Sequence, residues 1–418
     1  MTAEAARRAI ATTYRIESPK LIAGLTRMVR DVGLAEELAQ DALVVALETW
    51  PDAGVPENPG AWLMTTAKNR ALDRLRRTKV GERKLVAVGH EMTALENAIP
   101  DLESAIDEDL GDDLLRLVFI SCHPVLSTDA RVALTLRLLG GLETAEIARA
   151  FLVPEPTIAQ RIVRAKRTLA EAKVPFVVPT RDERDERLAS VLEVVYLIFN
   201  EGYSATAGDD WMRPGLCDDA LRLGRVLAEL APNEPEVHGL VGLMEIQASR
   251  AKARVDASGA PILLLAQDRA RWDGLLIHRG LTAIARAEAL GGERGAYMLQ
   301  AEIAACHARA DTAEATDWSR IAELYGELGA VAPSPIIELN RAVAVGMSEG
   351  PAKGLALVDA LTHEPALRGY HLLPSVRGDL LLKLGRRAEA KLQFALAASM
   401  TRNEREKELL LARAATCT

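Results

Sequence analysis

Apolar residues recur at helical spacing in two successive segments near the N-terminus, LAEELAQDALVVALETW and AWLMTTAKNRALDRLRR, which are joined by a Pro/Gly-rich loop. The first segment is amphipathic and acidic. In the second, Leu63, Ala67, Ala71 and Leu75 fall four residues apart and form one helical stripe, while Arg70, Arg74 and Arg77 gather on another face. Further on, GLETAEIARAFLVPEPTIAQRIVRAKRTLAEA reads as helix, short turn, helix. Thr144 is expected to cap the first of these helices. Pro154 and Pro156 bracket the turn, with Pro156 at the first helical position, where its missing N–H would have no intrahelical partner. In the second helix Ile158, Ile162, Ala165 and Leu169 point inward. Gln160, Arg161, Arg164 and Arg167 point outward, the layout of a recognition helix in a major groove.

Beyond residue 188 the pattern changes to helical segments broken by Gly, Pro and Asn about every 12 to 20 residues, as stacked helix pairs require. One repeat is legible: Gly378, Ala390, Phe394 and Ala397 stand at tetratricopeptide offsets, with Gly385 at the turn and Leu381 where tyrosine is usual. The remainder reads as an irregular helical solenoid. Its polar residues near apolar runs, among them Asn200, Tyr203, Arg269, Trp272, Asp317 and Asn340, either line a groove or tie helix pairs together, and the tie is the simpler reading. Composition agrees with helices throughout. Apolar residues make up 49% of the chain but aromatics only 4%, so strong helix formers dominate over strand formers. The expected fold class is all-α. Two small helical domains, 1–80 and 111–175, the second a helix-turn-helix, precede an irregular tetratricopeptide-like repeat domain, 188–418. Linkers at 81–110 and 176–187 separate them.

A formal net charge of −8 argues against nucleic acid as a partner until it is resolved along the chain. Nine acids, Glu91 through Asp113, fall in a stretch with no Lys or Arg, and the rest of the N-terminal half is basic. The acid run suits a solvated tether, or an acidic strip lying along a basic partner surface. Cys122, Cys217, Cys306 and Cys417 form no CxxC pair, so neither a metal site nor a disulfide framework is expected, and no cofactor is implied. Glu201, Asp268, Asp273 and His278 offer acids and bases, but no nucleophile motif or phosphate loop accompanies them, so the chain does not read as an enzyme. No apolar run reaches the length of a membrane span. The cytoplasm is the expected location and no membrane partner is expected.

These segments resemble the extracytoplasmic function (group IV) sigma factors of bacterial RNA polymerase, in the right order. AEELAQDALVVALETW is similar to the core-binding helix of sigma domain 2, NPGAWLMTTAKNRALDRLRR to the segment that melts and reads the minus 10 element, and the helix-turn-helix to sigma domain 4, which reads the minus 35 element. CHPVLSTDARVALTLRLLGGL, YLIFNEGY, QDRARWD, TDW and SPIIELNRAVAV resemble the subgroup that carries a tetratricopeptide-like extension, so the likeness spans nearly the whole chain.

The resemblance implies that Glu36, Glu37, Gln40, Asp41, Val44 and Glu48 form an exposed face that docks on core RNA polymerase. It implies that Asn69 takes a flipped minus 10 base while Arg70, Arg74, Arg76 and Arg77 hold the strand's backbone. Gln160, Arg161 and Arg164 would meet minus 35 bases and phosphates, with Lys166 and Arg167 on the backbone. Ala159 departs from the family, where Arg or Lys is common. The expected partners are therefore core RNA polymerase and promoter DNA, with a protein or peptide partner for the repeat domain, which would modulate initiation. The alternative is a helix-turn-helix regulator with a helical-repeat sensor, which would lack the polymerase-docking helix.

Overall fold

The computed structural model of the chain describes residues 3–83 and 105–417, with the side chains of 3–9, 11, 75–83, 105–110, 181 and 182 left aside. Eighteen α-helices account for most of it, and the fold class is all-α. The acidic run from Glu91 to Glu103 lies outside the described residues. The chain divides into two compact units, 1–194 and 195–418.

The N-terminal unit begins with α1 (Ala3–Val29), α2 (Val32–Ala53) and α3 (Pro59–Arg83), which pack on one another. Asp31 caps α2 by accepting from the Leu34 N–H at 2.7 Å, and Asn58 does the same for α3 through Ala61 at 3.0 Å. Leu63, Ala67 and Ala71 are buried on one stripe of α3, as their spacing predicts. Trp62 of α3 meets the buried Trp50 of α2 edge to face at 5.2 Å.

Helix α4 (Ala105–Ser121) starts inside the stretch expected to be linker. Its Asp113, counted above among the acids of a tether, is 1% exposed and pairs with Arg27 at 3.2 Å and Arg116 at 2.6 Å. The helix-turn-helix consists of α6 (Thr144–Phe151) and α7 (Glu155–Glu171), supported by α5 (Thr128–Leu138). Glu143, not Thr144, is the N-cap of α6: its side chain and that of Glu146 form a reciprocal capping box. Pro156 is the second residue of α7 rather than the first, and Pro154 is its cap. Gly141 turns the chain into α6 with φ +67°, and a Cβ there would lie 3.0 Å from the Arg15 carbonyl, so only glycine lets this turn approach α1.

Helix α8 (Arg181–Tyr203) begins within the second expected linker, and its first half belongs to the N-terminal unit. Arg187 donates to the Phe119 carbonyl at 2.8 Å, Ser190 donates to the Cys122 carbonyl, and Arg131 donates to Glu193 at 2.9 Å. The CHPVLSTDAR motif therefore seats α8.

The C-terminal unit continues with α9 (Pro214–Leu230), α10 (Pro235–Ser249), α11 (Gly274–Leu290), α12 (Ala296–Arg309), α13 (Trp318–Val331), α14 (Pro335–Ser348), α15 (Pro351–Ala360), α16 (Leu372–Lys383), α17 (Arg387–Met400) and α18 (Glu404–Ala415). Opposite faces of one helix feed successive cores. Met298 and Ala301 of α12 join Leu243 and Ile284, whereas Leu299 and Ile303 of the same helix join Ile321 and Leu324. Leu339, Ala342, Leu381, Phe394 and Ala397 build the last core. Such sharing is how repeats bury a continuous core. Gly385 makes the turn between α16 and α17 at φ +78°. Asp273, Asp317 and Ser334 are N-caps of α11, α13 and α14, so several quoted motif residues serve to start helices.

A two-residue parallel ladder joins β1 (Ala207–Gly208) to β2 (Arg402–Asn403). Buried Asn403 donates to the carbonyls of Ala205 at 3.0 Å and Asp210 at 2.8 Å, tying the last helix pair to the first loop of the unit.

Candidate nucleic-acid interface

Glu37, Asp41, Val44 and Glu48 fall at i, i+4, i+7 and i+11 of α2 and share its outer stripe. Val44 is 50% exposed and neighbouring Leu47 40%, so an apolar strip lies exposed among acids. Gln40 flanks the stripe and donates to Glu36 at 2.8 Å. Across the groove to α3, Asp41 pairs with Arg70 at 3.2 Å and Glu37 with Arg74 at 3.4 Å. All four side chains are about half exposed, so each pair contributes roughly 0–1 kcal/mol and yields readily to another partner. Asn69 is exposed beside Arg70. Arg76 and Arg77 lie on α3, but their side chains are outside the described set.

Glu36 departs from the exposed face expected of it. It is 5% exposed and receives Arg137 of α5 at 2.6 Å and Lys166 of α7 in a second ion pair. Burial opposes its charge, but the charges and hydrogen bonds of Lys166 and Arg137 outweigh that and hold the carboxyl below its usual range. The neighbouring Tyr14 phenol is pushed up, first by burial and then by the Glu36 charge. Glu36 thus fastens the first helical bundle to the helix-turn-helix.

The five basic and amide residues of α7 divide into two groups. Gln160, Arg161 and Arg164 line one groove of about 370 Å³ with Val125, Ser127 and Asp129. Within it Arg161 pairs with Asp129 at 3.0 Å, while Arg164 is exposed. Arg167 is exposed and pairs with Glu171 at 3.6 Å. Lys166 faces the other way, toward α2. Ile158, Ile162, Ala165 and Leu169 are all buried, which fixes this division of faces. Arg137 and Asp129 were not singled out from the sequence. Glu36 and Arg137 are 101 positions apart, and no local period signals such a pair.

Three family models match the chain: Sigma-70 region 2 over residues 13–80, Sigma-70 region 4 over 116–169, and a family of unknown function, DUF6596, over 187–288. The ECF RNA polymerase sigma factor SigK of Mycobacterium ulcerans (strain Agy99) is 30% identical over 167 residues, covering 39% of this chain and 84% of that protein. The chain belongs to the extracytoplasmic function sigma factors. SigK of Mycobacterium tuberculosis (strain ATCC 25618 / H37Rv) is 29% identical to this sigma factor over 166 residues, 38% of the chain and 83% of that relative. An uncharacterized protein of Rhizobium meliloti (strain 1021) is 43% identical over 394 residues, 93% of this sigma factor and 91% of that protein, so the likeness there runs through the C-terminal unit. No solved structure matches. In this sigma factor α2 and all but the last three residues of α3 fall within the region 2 match, and α5, α6 and all but the last two residues of α7 within the region 4 match. Among the described residues no helix is long and apolar enough to cross a membrane, and no cluster of His, Cys, Asp and Glu is arranged to hold a metal ion.

Proposed function

We propose that this sigma factor docks on core RNA polymerase through the Glu37, Asp41, Val44 and Glu48 stripe of α2. The observation that carries the reading is that stripe: acids surround an exposed apolar strip on a rigid helix, a surface suited to a basic, partly apolar partner. Bound there, the protein directs promoter-specific initiation. Asn69 takes an unstacked base of the minus 10 strand, and Arg70, Arg74, Arg76 and Arg77 hold its phosphates after Arg70 and Arg74 exchange Asp41 and Glu37 for DNA. Capturing an unstacked base offsets a few kcal/mol of lost stacking, so opening needs no catalytic side chain and no hydrolysis.

Gln160, Arg161 and Arg164 form the minus 35 reading group on one groove face, with Arg167 on the backbone. Lys166 serves mainly as the counter-charge to Glu36, and its phosphate contact requires that pair to open. Arg164→Ala is expected to weaken binding to a minus 35 duplex by about 1–3 kcal/mol through loss of a bidentate base contact, and Lys166→Ala to lower stability more than DNA affinity. Fluorescence anisotropy with a labelled duplex, beside thermal unfolding, separates the two. Equal losses of DNA affinity in both variants would place Lys166 in the reading group. The C-terminal repeat unit modulates initiation through a partner of its own.

A further inference from the structure

The C-terminal unit holds a cavity of about 380 Å³ between the end of α8, α9, the end of α10 and the first turns of α11. Space of this size, walled mainly by apolar side chains with a few polar groups among them, is what a small-molecule site requires. Tyr203, Met212, Leu221 and Leu276 supply the apolar wall. The lining residues all lie between Gly202 and Arg279, inside the 187–288 segment matched by the family of unknown function. Two motifs that promoter recognition leaves unused end at this wall, YLIFNEGY with Tyr203 and QDRARWD with Asp273.

Most polar side chains of the wall are already engaged. Arg225 holds Glu245 at 2.7 and 3.0 Å, and Ser249 Oγ donates to the Ile246 carbonyl at 2.6 Å. The Asp273 carboxylate accepts from the Leu275 and Leu276 N–H groups, and the Tyr203 hydroxyl accepts from Arg250. Three charged side chains are left over: Asp218 on α9, Lys252 just past α10, and Arg279 on α11. All three are exposed, and among the described residues none makes a side-chain hydrogen bond or ion pair. Arg225 feels the Asp218 charge, but its guanidinium is committed to Glu245. The groups free to meet a ligand are therefore one anion and two cations beside an apolar wall.

We propose that this cavity binds a small zwitterion with an apolar body, an ammonium end for Asp218 and a carboxylate end for Lys252 and Arg279, and, on the reading that the C-terminal unit modulates initiation, that this molecule is the signal the unit answers to. A free apolar amino acid and a short apolar peptide share that chemistry. A simple organic anion would leave its charge beside Asp218, and a simple amine would face Lys252 and Arg279, whereas a zwitterion satisfies both signs with charge-assisted hydrogen bonds.

Isothermal titration calorimetry of the full chain tests the proposal with two probes, L-phenylalanine and L-leucyl-L-leucine. At least one should bind saturably, and about tenfold or more tighter than each of its single-charge analogues. These are 3-phenylpropionate and 2-phenylethylamine for the amino acid, and the N-acetylated and the amidated forms for the dipeptide. Asp218→Asn should erase the advantage over the analogue without the ammonium, and Lys252→Gln with Arg279→Gln the advantage over the analogue without the carboxylate. These side chains are exposed, so the changes should leave the fold intact. Arg286→Gln, on α11 but outside the cavity lining, should bind like the parent. Binding of phenylalanine alone assigns the site to a free amino acid, of the dipeptide alone to a short peptide, and of both to the end groups they share. No saturable binding by either probe, a single-charge analogue that binds as tightly as its zwitterion, or an advantage that survives in the cavity variants would overturn the proposal. The titration contains neither polymerase nor DNA, so its outcome is independent of the docking role of α2.

Discussion

Glu36→Ala is expected to lower the stability of the N-terminal unit by about 3–5 kcal/mol, because it strands Arg137 and Lys166 in a site where each side chain is only 22% exposed. Leu142 still offers its carbonyl to Arg137 at 3.1 Å, but a carbonyl does not replace a buried counter-charge. The loss is larger than any expected for Glu37 or Asp41, although all three are acids of one helix. Urea unfolding of the variant and the parent measures it, and an unchanged midpoint would mean that Glu36 is not the fastener between α2 and α7. The same pair sets a pH dependence. The folded carboxyl titrates below its ordinary value of 4.5, so its stabilisation is complete above that value and disappears as pH falls through the lower folded one. The parent should lose stability across this acid window more steeply than Glu36→Ala, whose curve lacks that contribution.

Glu37→Lys combined with Asp41→Lys is expected to reduce affinity for core polymerase by about 2–5 kcal/mol, enough to abolish co-elution at micromolar concentration. Neither residue is buried, and each pairs with an exposed arginine of α3, so the fold should tolerate the change at a cost of about 1 kcal/mol per pair. The two new lysines would instead repel a basic docking surface. DNA binding through α7 lies on a different helix face and should survive. Retained polymerase binding would move the docking surface elsewhere.

Much of the fold was legible because short-range periodicity dictates it. Leu63, Ala67 and Ala71 on α3, and Ile158, Ile162, Ala165 and Leu169 on α7, occupy the core stripe that their spacing requires. The tetratricopeptide positions Ala390, Phe394 and Ala397 are likewise fully buried. The errors arose where one residue type satisfies two physical demands. An acid on a polar helix face reads as solvated, yet Glu36 and Asp113 are buried because distant arginines and a lysine compensate them. Glu143 took the capping role expected of Thr144 because Glu146, three residues on, completes a reciprocal pair. The parallel ladder between Ala207 and Arg402 is two residues long, too short for any alternating pattern to announce it. In the site, the spacing of Gln160, Arg161 and Arg164 placed them on one groove, whereas the division of Lys166 from them depends on a partner 130 positions away.

Size-exclusion chromatography of the full-length chain with core RNA polymerase addresses the sigma assignment most directly, since it requires no knowledge of the promoter. The chain should co-elute with core and lose that association when Glu37 and Asp41 are both changed to lysine. Elution of the chain apart from core, in a preparation that still binds duplex DNA through Arg164, would contradict the polymerase-docking role of α2.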